Sequence, residues 1–167
     1  LWKRTKMANE SNGKIFISFH VNSNPNKSAH GFETYLLRPG KNEDAIEVAS
    51  RENEVIKLED RTYNRYQDLS GENLIMATMA QSVFLKESEE LAAMIQSEMG
   101  KSVKSKNRGV KQAGFHVLIG ASMPNVLIEA GFLSNRNEEK NLRNSKYRQV
   151  IANSIYKAIV KFRYSRE

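Results

Sequence analysis

Two polar residues close apolar runs in this sequence, and their types make them the first candidates for chemistry. His20 follows the run at residues 15–19, Ile-Phe-Ile-Ser-Phe, and Glu129 follows Val126-Leu127-Ile128. Both runs read as buried strands ending at these residues. A carboxylate between Val-Leu-Ile and Ala-Gly costs several kcal/mol to bury unless it is paired or protonated. Partial burial would also raise its pKa toward the range useful for a general base. A histidine after a strand is either a satisfied structural imidazole or a ligand, and position alone leaves both open. Open α/β sheets place ligands at the carboxyl ends of their strands. His20 and Glu129 are therefore expected to face one cleft, although 109 positions separate them. That pair fits metal-assisted hydrolysis, which needs three protein ligands and an open position for water. The residues themselves supply one convincing ligand. His30 reads as a loop residue and His116 as part of a strand. His30-x-x-Glu33 offers two donor types but lacks the His-Glu-x-x-His pattern of a helical zinc site. A Gly-rich phosphate loop and a Gly-x-Ser-x-Gly elbow are both missing, and there is no cysteine to act as nucleophile, thiolate ligand or disulfide partner.

The elements that must position these residues follow from periodicity and punctuation. Residues 1–10 read as a helix end with Gly13 as breaker. A loop rich in Asn, Ser and Pro spans residues 21–28, and a strand is expected from Gly31 to Leu37, closed by Pro39-Gly40. Asn42 can cap a helix that opens on Glu43 and Asp44 and runs to about Glu59. Residues 61–72 read as a loop. A second long helix is expected from Ser70 to Met99, with Gly100 beyond its end. Residues 101–108 read as a basic loop, and residues 115–119, Phe-His-Val-Leu-Ile, as a strand. Tyr147, Ile151, Ile155, Ala158, Ile159 and Phe162 recur at helical spacing and define a terminal amphipathic helix. Strands alternating with helices give an α/β fold with a largely parallel sheet.

The 167 residues suit one domain, so residues 1–167 are expected to form a single unit. With 40% hydrophobic residues the chain is not disordered in character, and no apolar run approaches the roughly 18 residues of a membrane span. The formal charge of +7 suits either solubility or a polyanionic partner such as nucleic acid, anionic lipid or an anionic cell-wall polymer. No aromatic residue is interleaved with the basic loop for base stacking, so nucleic acid is not expected as a partner. Position 1 is Leu, and Leu1-Trp2-Lys3-Arg4 reads as the middle of a helix; no signal peptide is visible.

Four stretches together carry a family resemblance. They are Ser18-Phe19-His20-Val21-Asn22-Ser23; Gly31-Phe32-Glu33-Thr34-Tyr35; residues 108–118, beginning Arg-Gly-Val-Lys-Gln-Ala; and residues 123–135, Met-Pro-Asn-Val-Leu-Ile-Glu-Ala-Gly-Phe-Leu-Ser-Asn. In order and character they resemble the zinc-dependent N-acetylmuramoyl-L-alanine amidases that cut bacterial peptidoglycan. The resemblance implies a three-layer α/β/α sandwich around a mainly parallel sheet. It implies that His20 is a zinc ligand, and that Glu129 activates water and passes its proton to the leaving amine. It also places Asn22 and Arg108 on the substrate side. Two further zinc ligands and the first strands are expected upstream of Leu1, so this chain alone is expected to hold zinc weakly and hydrolyse poorly; a non-catalytic peptidoglycan-binding remnant is the alternative. Residues 41–85 resemble the helical insert of amidases held inactive until an activator protein displaces it, as in cell division, with Glu52 and Glu54 as its regulatory carboxylates. The compartment implied is the bacterial periplasm or cell envelope.

Overall fold

The structure, a computed structural model, describes residues 1–40, 43–58, 75–76 and 79–167. Its strands are β1 (Phe16–Asn22), β2 (Phe32–Leu37), β3 (Asn107–Ala113) and β4 (Asn125–Phe132). Its main helices are α1 (Trp2–Glu10), α2 (Glu43–Asn53), α3 (Leu85–Ser102), α4 (Arg136–Arg143) and α5 (Ser145–Tyr164). The sheet order is β1-β4-β2-β3. Phe16 N donates to Pro124 O at 2.9 Å and Leu133 N to Asn22 O at 2.8 Å, so β1 and β4 run parallel. Phe32 N donates to Lys106 O and Arg38 N to Ala113 O, which makes β2 and β3 parallel as well. The central pair is antiparallel, with Glu33 opposite Glu129, Thr34 opposite Ile128 and Tyr35 opposite Leu127. The fold is thus α/β with a mostly parallel sheet, as the alternation of elements implies.

The packing divides into two compact units. The first comprises residues 1–18, 36–88 and 112–126. Its organising feature is the stretch around Phe115, where side chains from three segments hold the backbone. Thr5 Oγ1 donates to Ile119 O, Asn9 Nδ2 to Gly120 O, and Gln81 Nε2 to the carbonyls of Leu118 and Ala121. Asn53 donates through Nδ2 to Gly114 O and accepts from His116 N through Oδ1. These bonds satisfy peptide groups that a strand would give to a ladder. Residues 115–119 are accordingly not a strand: His116–Leu118 form a single 3-10 turn, with Phe115, Val117 and Leu118 buried.

The second unit comprises residues 19–35, 89–111 and 127–167. Leu91, Ala92, Ile95 and Met99 line one buried face of α3, and Ile151, Ala158 and Phe162 line one of α5. Full burial of such a side chain contributes roughly 1.5–3 kcal/mol. Gln96 ties α3 to the sheet, donating to Phe32 O and to Asn107 Oδ1 while accepting from Thr34 Oγ1. Glu138 of α4, only 5% exposed, accepts from Gly31 N at 2.9 Å, from Phe132 N at 2.7 Å and from Ser105 Oγ. Gly31 has φ 113, and a Cβ there would collide with Lys106 O, so only glycine brings that N–H to Glu138.

Several boundaries differ from those the sequence suggests. β1 continues two residues beyond His20, and β4 continues three beyond Glu129. Phe19 is 51% exposed, because the inward face of β1 carries Ser18, His20 and Asn22, not the aromatic residue. The α-helix from Glu43 stops at Asn53 and tightens into a 3-10 turn, Glu54–Leu58. The helix expected from Ser70 is broken by a turn at Gln81 and the 3-10 turn Ser82–Phe84; its earlier part lies largely outside the described residues, as does the loop expected at 61–72. Gly100 lies inside α3, which runs on to Ser102. The basic stretch leads into β3, whose polar sequence hides a strand on the sheet's edge. α4 was not foreseen; Asn135 caps it, accepting from the backbone N–H groups of Asn137 and Glu138.

Candidate active site

The site is built on the face of the second unit that carries Glu33 and Glu129. Residues directly opposite on antiparallel strands share a face, with Cβ atoms about 5 Å apart, so the register sets these two glutamates side by side. Glu129 is fully buried and Glu33 is 1% exposed. His20, half-buried on β1, brings a ring nitrogen within 4.8 Å of a Glu129 carboxylate oxygen. The expected convergence of His20 and Glu129 is therefore present, though both residues sit inside strands and not at their ends.

Two adjacent buried carboxylates repel unless one is neutralised. Glu33 is the one supplied with cations. Its Oε2 accepts from Arg108 Nε at 2.8 Å and from Lys111 Nζ at 2.6 Å. Its Oε1 accepts from Tyr35 Oη at 2.8 Å and from Asn22 Nδ2 at 3.3 Å. Burial pushes the Glu33 carboxyl up, but the bonds from Lys111 and Arg108, the Lys111 charge and the Tyr35 hydroxyl outweigh it and hold the group below the usual carboxylate range. Burial, then the charge and hydrogen bond of Glu33 and the charge of Glu129, push the Tyr35 hydroxyl far above its ordinary value, so it stays a donor. Strict alternation would send Arg108 and Lys111, three residues apart, to opposite faces. Gly109 lies between them at φ 82, a left-handed conformation with open space around its Cα, and the kink lets both reach Glu33.

The remaining candidates differ in burial and in partners. Asn22 is buried and also accepts from Ser23 N through Oδ1. His30 is exposed and its Nδ1 lies 2.9 Å from Ser28 O; His116 belongs to the 3-10 turn of the other unit. Glu52 is half-buried on α2, and Glu54 is exposed, paired with Lys57 at 3.3 Å. Sequence reasoning missed the roles of Glu33 and Lys111. The signal for Glu33 was present: a carboxylate inside the apolar run at 31–37 is as anomalous as Glu129 in its own.

A histidine nitrogen and a buried glutamate carboxylate meeting on one face of a mostly parallel sheet are donors of the types that bind metal ions. The comparisons give the fold its family. A family model described as N-acetylmuramoyl-L-alanine amidase matches residues 1–161, and the chain belongs to that family. Among curated relatives, an uncharacterised protein of Bacillus subtilis, YqiI, is 29% identical over 95% of this chain and 56% of its own length. The amidase AmiA of Escherichia coli is 26% identical over 97% of this chain and 56% of its own. The chain thus spans about half the length of such relatives. An N-acetylmuramoyl-L-alanine amidase structure from Clostridium difficile superposes with a TM-score of 0.66 at 26% identity, covering 99% of this chain and 66% of that one. The CwlD amidase of Clostridioides difficile, solved in complex with the GerS lipoprotein, superposes at 0.64 and 26% identity over 97% of this chain and 60% of its own.

Proposed function

We propose that the protein hydrolyses peptidoglycan at the amide joining the lactyl group of N-acetylmuramic acid to L-alanine. The observation that carries this reading is the meeting of His20 and the fully buried Glu129 within 4.8 Å on one face of a sheet of this family. Imidazole nitrogen and carboxylate oxygen are donors that zinc accepts, so these residues fit the metal that the family implies. His20 would be a ligand and Glu129 would stand beside the ion. Bound zinc would supply a polarised water of lowered pKa. Glu129 takes a proton from the attacking water as its oxygen adds to the lactyl carbonyl, and delivers that proton to the alanine nitrogen as the C–N bond breaks. The products are a lactyl carboxylate and a peptide with a free L-alanine amine. Glu33 is kept ionised by its four donors, so the protons of the reaction pass through Glu129. Asn22 and Arg108 serve the substrate side by fixing this cluster.

The same reading makes residues 1–167 one catalytic domain acting at the cell envelope. The helical insert restrains it through the carboxylates of Glu52 and Glu54, and a partner protein relieves that restraint. Support comes from the two carboxylates in Arg51-Glu52-Asn53-Glu54 and from the CwlD neighbour having been solved with a partner. Among the described residues no helix is long and apolar enough to cross a membrane. The test is digestion of purified peptidoglycan followed by mass analysis. New free L-alanine amines support the reading, and cleavage of glycosidic or internal peptide bonds alone would refute it.

A further inference from the structure

The Glu33 cluster holds two cations against one carboxylate. Both oxygens of Glu33 are already occupied, Oε2 by Arg108 and Lys111, Oε1 by Tyr35 and Asn22. Arg108 spends only its Nε on this bond. Among the described residues its two Nη groups make no hydrogen bond, and the side chain remains 21% exposed. The guanidinium carbon lies 5.2 Å from the centroid of the Phe132 ring, which together with the Nε bond restrains the plane of the fork. A guanidinium so fixed presents two parallel donors matched to a planar carboxylate. Lys111 is also committed, bonded to Glu33 and 5.9 Å from the centroid of the Tyr35 ring.

We infer that the Nη edge of Arg108 is a specificity site for a substrate carboxylate, carried by the residue that follows the released L-alanine. This rests on the amidase reading of Glu129. Glu33 stands directly opposite Glu129, so the guanidinium held by Glu33 belongs to the same sheet face as the carboxylate assigned to proton transfer. The two charged N–H donors of the Arg108 fork match both oxygens of a carboxylate, whereas a neutral carboxamide presents one oxygen and an NH2 group that cannot accept. In a stem peptide linked L-Ala-γ-D-Glu, the free α-carboxylate of D-Glu meets this description. Its α-carboxamide form does not.

The test uses two muramoyl-L-Ala-γ-D-Glu-L-Lys-amide compounds, one with the α-carboxylate free and one with it as carboxamide. Binding is measured calorimetrically at physiological salt in Glu129→Gln protein, which prevents turnover, and cleavage is measured in the parent. The acid should bind about tenfold more tightly than the carboxamide. Arg108→Gln, and Arg108→Lys, which keeps the charge but loses the fork, should each bring the two to within about threefold, with circular dichroism reporting an intact fold. An equal affinity for both compounds, no binding of either, or an undiminished preference in folded Arg108→Lys would overturn the inference. Cleavage of both compounds without discrimination would sink this inference and leave the amidase reading standing. Discrimination in binding without cleavage by the parent would sink the amidase reading and, with it, the placing of this carboxylate on the residue after a released L-alanine.

Discussion

At the scale of single residues the site separates two buried glutamates by what surrounds them. Glu33 is locked in the ionised form by Lys111, Arg108, Tyr35 and Asn22. Its lowered pKa means that its ion pairs contribute stability above the unfolded carboxyl value of about 4.3, and that this contribution is lost as pH falls through the lower folded value. Glu33→Gln should therefore destabilise the protein by about 3 kcal/mol at pH 7. Urea unfolding should show the gap to the parent closing below about pH 4; a gap independent of pH would remove the charge from the explanation. His20 and Glu129 were legible in the sequence because each is a polar residue attached to an apolar run. Lys111 was not, because its partner lies 78 positions away and only the kink at Gly109 turns it to the same face.

Among the described elements, the eight-residue helix α4 connects three strands. Glu138 of α4 accepts from the backbone at the start of β2 and at the end of β4 and from Ser105 ahead of β3. Glu138→Ala should leave buried N–H groups at Gly31 and Phe132 without acceptors and cost about 3 kcal/mol. Hydrogen exchange should quicken most at those two amides, and unchanged protection there would contradict the role. Strands β1, β2 and β4 were legible as apolar runs. β3 was not, because an edge strand reading Asn-Arg-Gly-Val-Lys-Gln-Ala has little apolar content. The run at 115–119 misled in the opposite sense. Its apolar residues are buried, but its peptide groups bond to Thr5, Asn53 and Gln81, which no local pattern reveals.

For the whole molecule, the proposed restraint of the hydrolase by its insert has a direct test. In the full-length protein, replacing residues 43–68 by a short Gly-Ser link should raise basal hydrolysis of purified peptidoglycan several-fold. Unchanged activity with intact fold and zinc content would show that the segment is not a gate. The excess of 26 basic over 19 acidic residues suits an anionic wall polymer, and binding to that polymer should weaken as salt rises. The central claim is the role of Glu129, and one comparison tests it most directly. Full-length parent and Glu129→Gln proteins are assayed for release of free L-alanine amines from a muramoyl peptide, with zinc content measured on the same samples. The account predicts equal zinc in both and a loss of rate of about 10²–10⁴-fold in the variant. Undiminished cleavage by Glu129→Gln, or loss of its zinc, would contradict the assignment of Glu129 as the proton-transferring carboxylate.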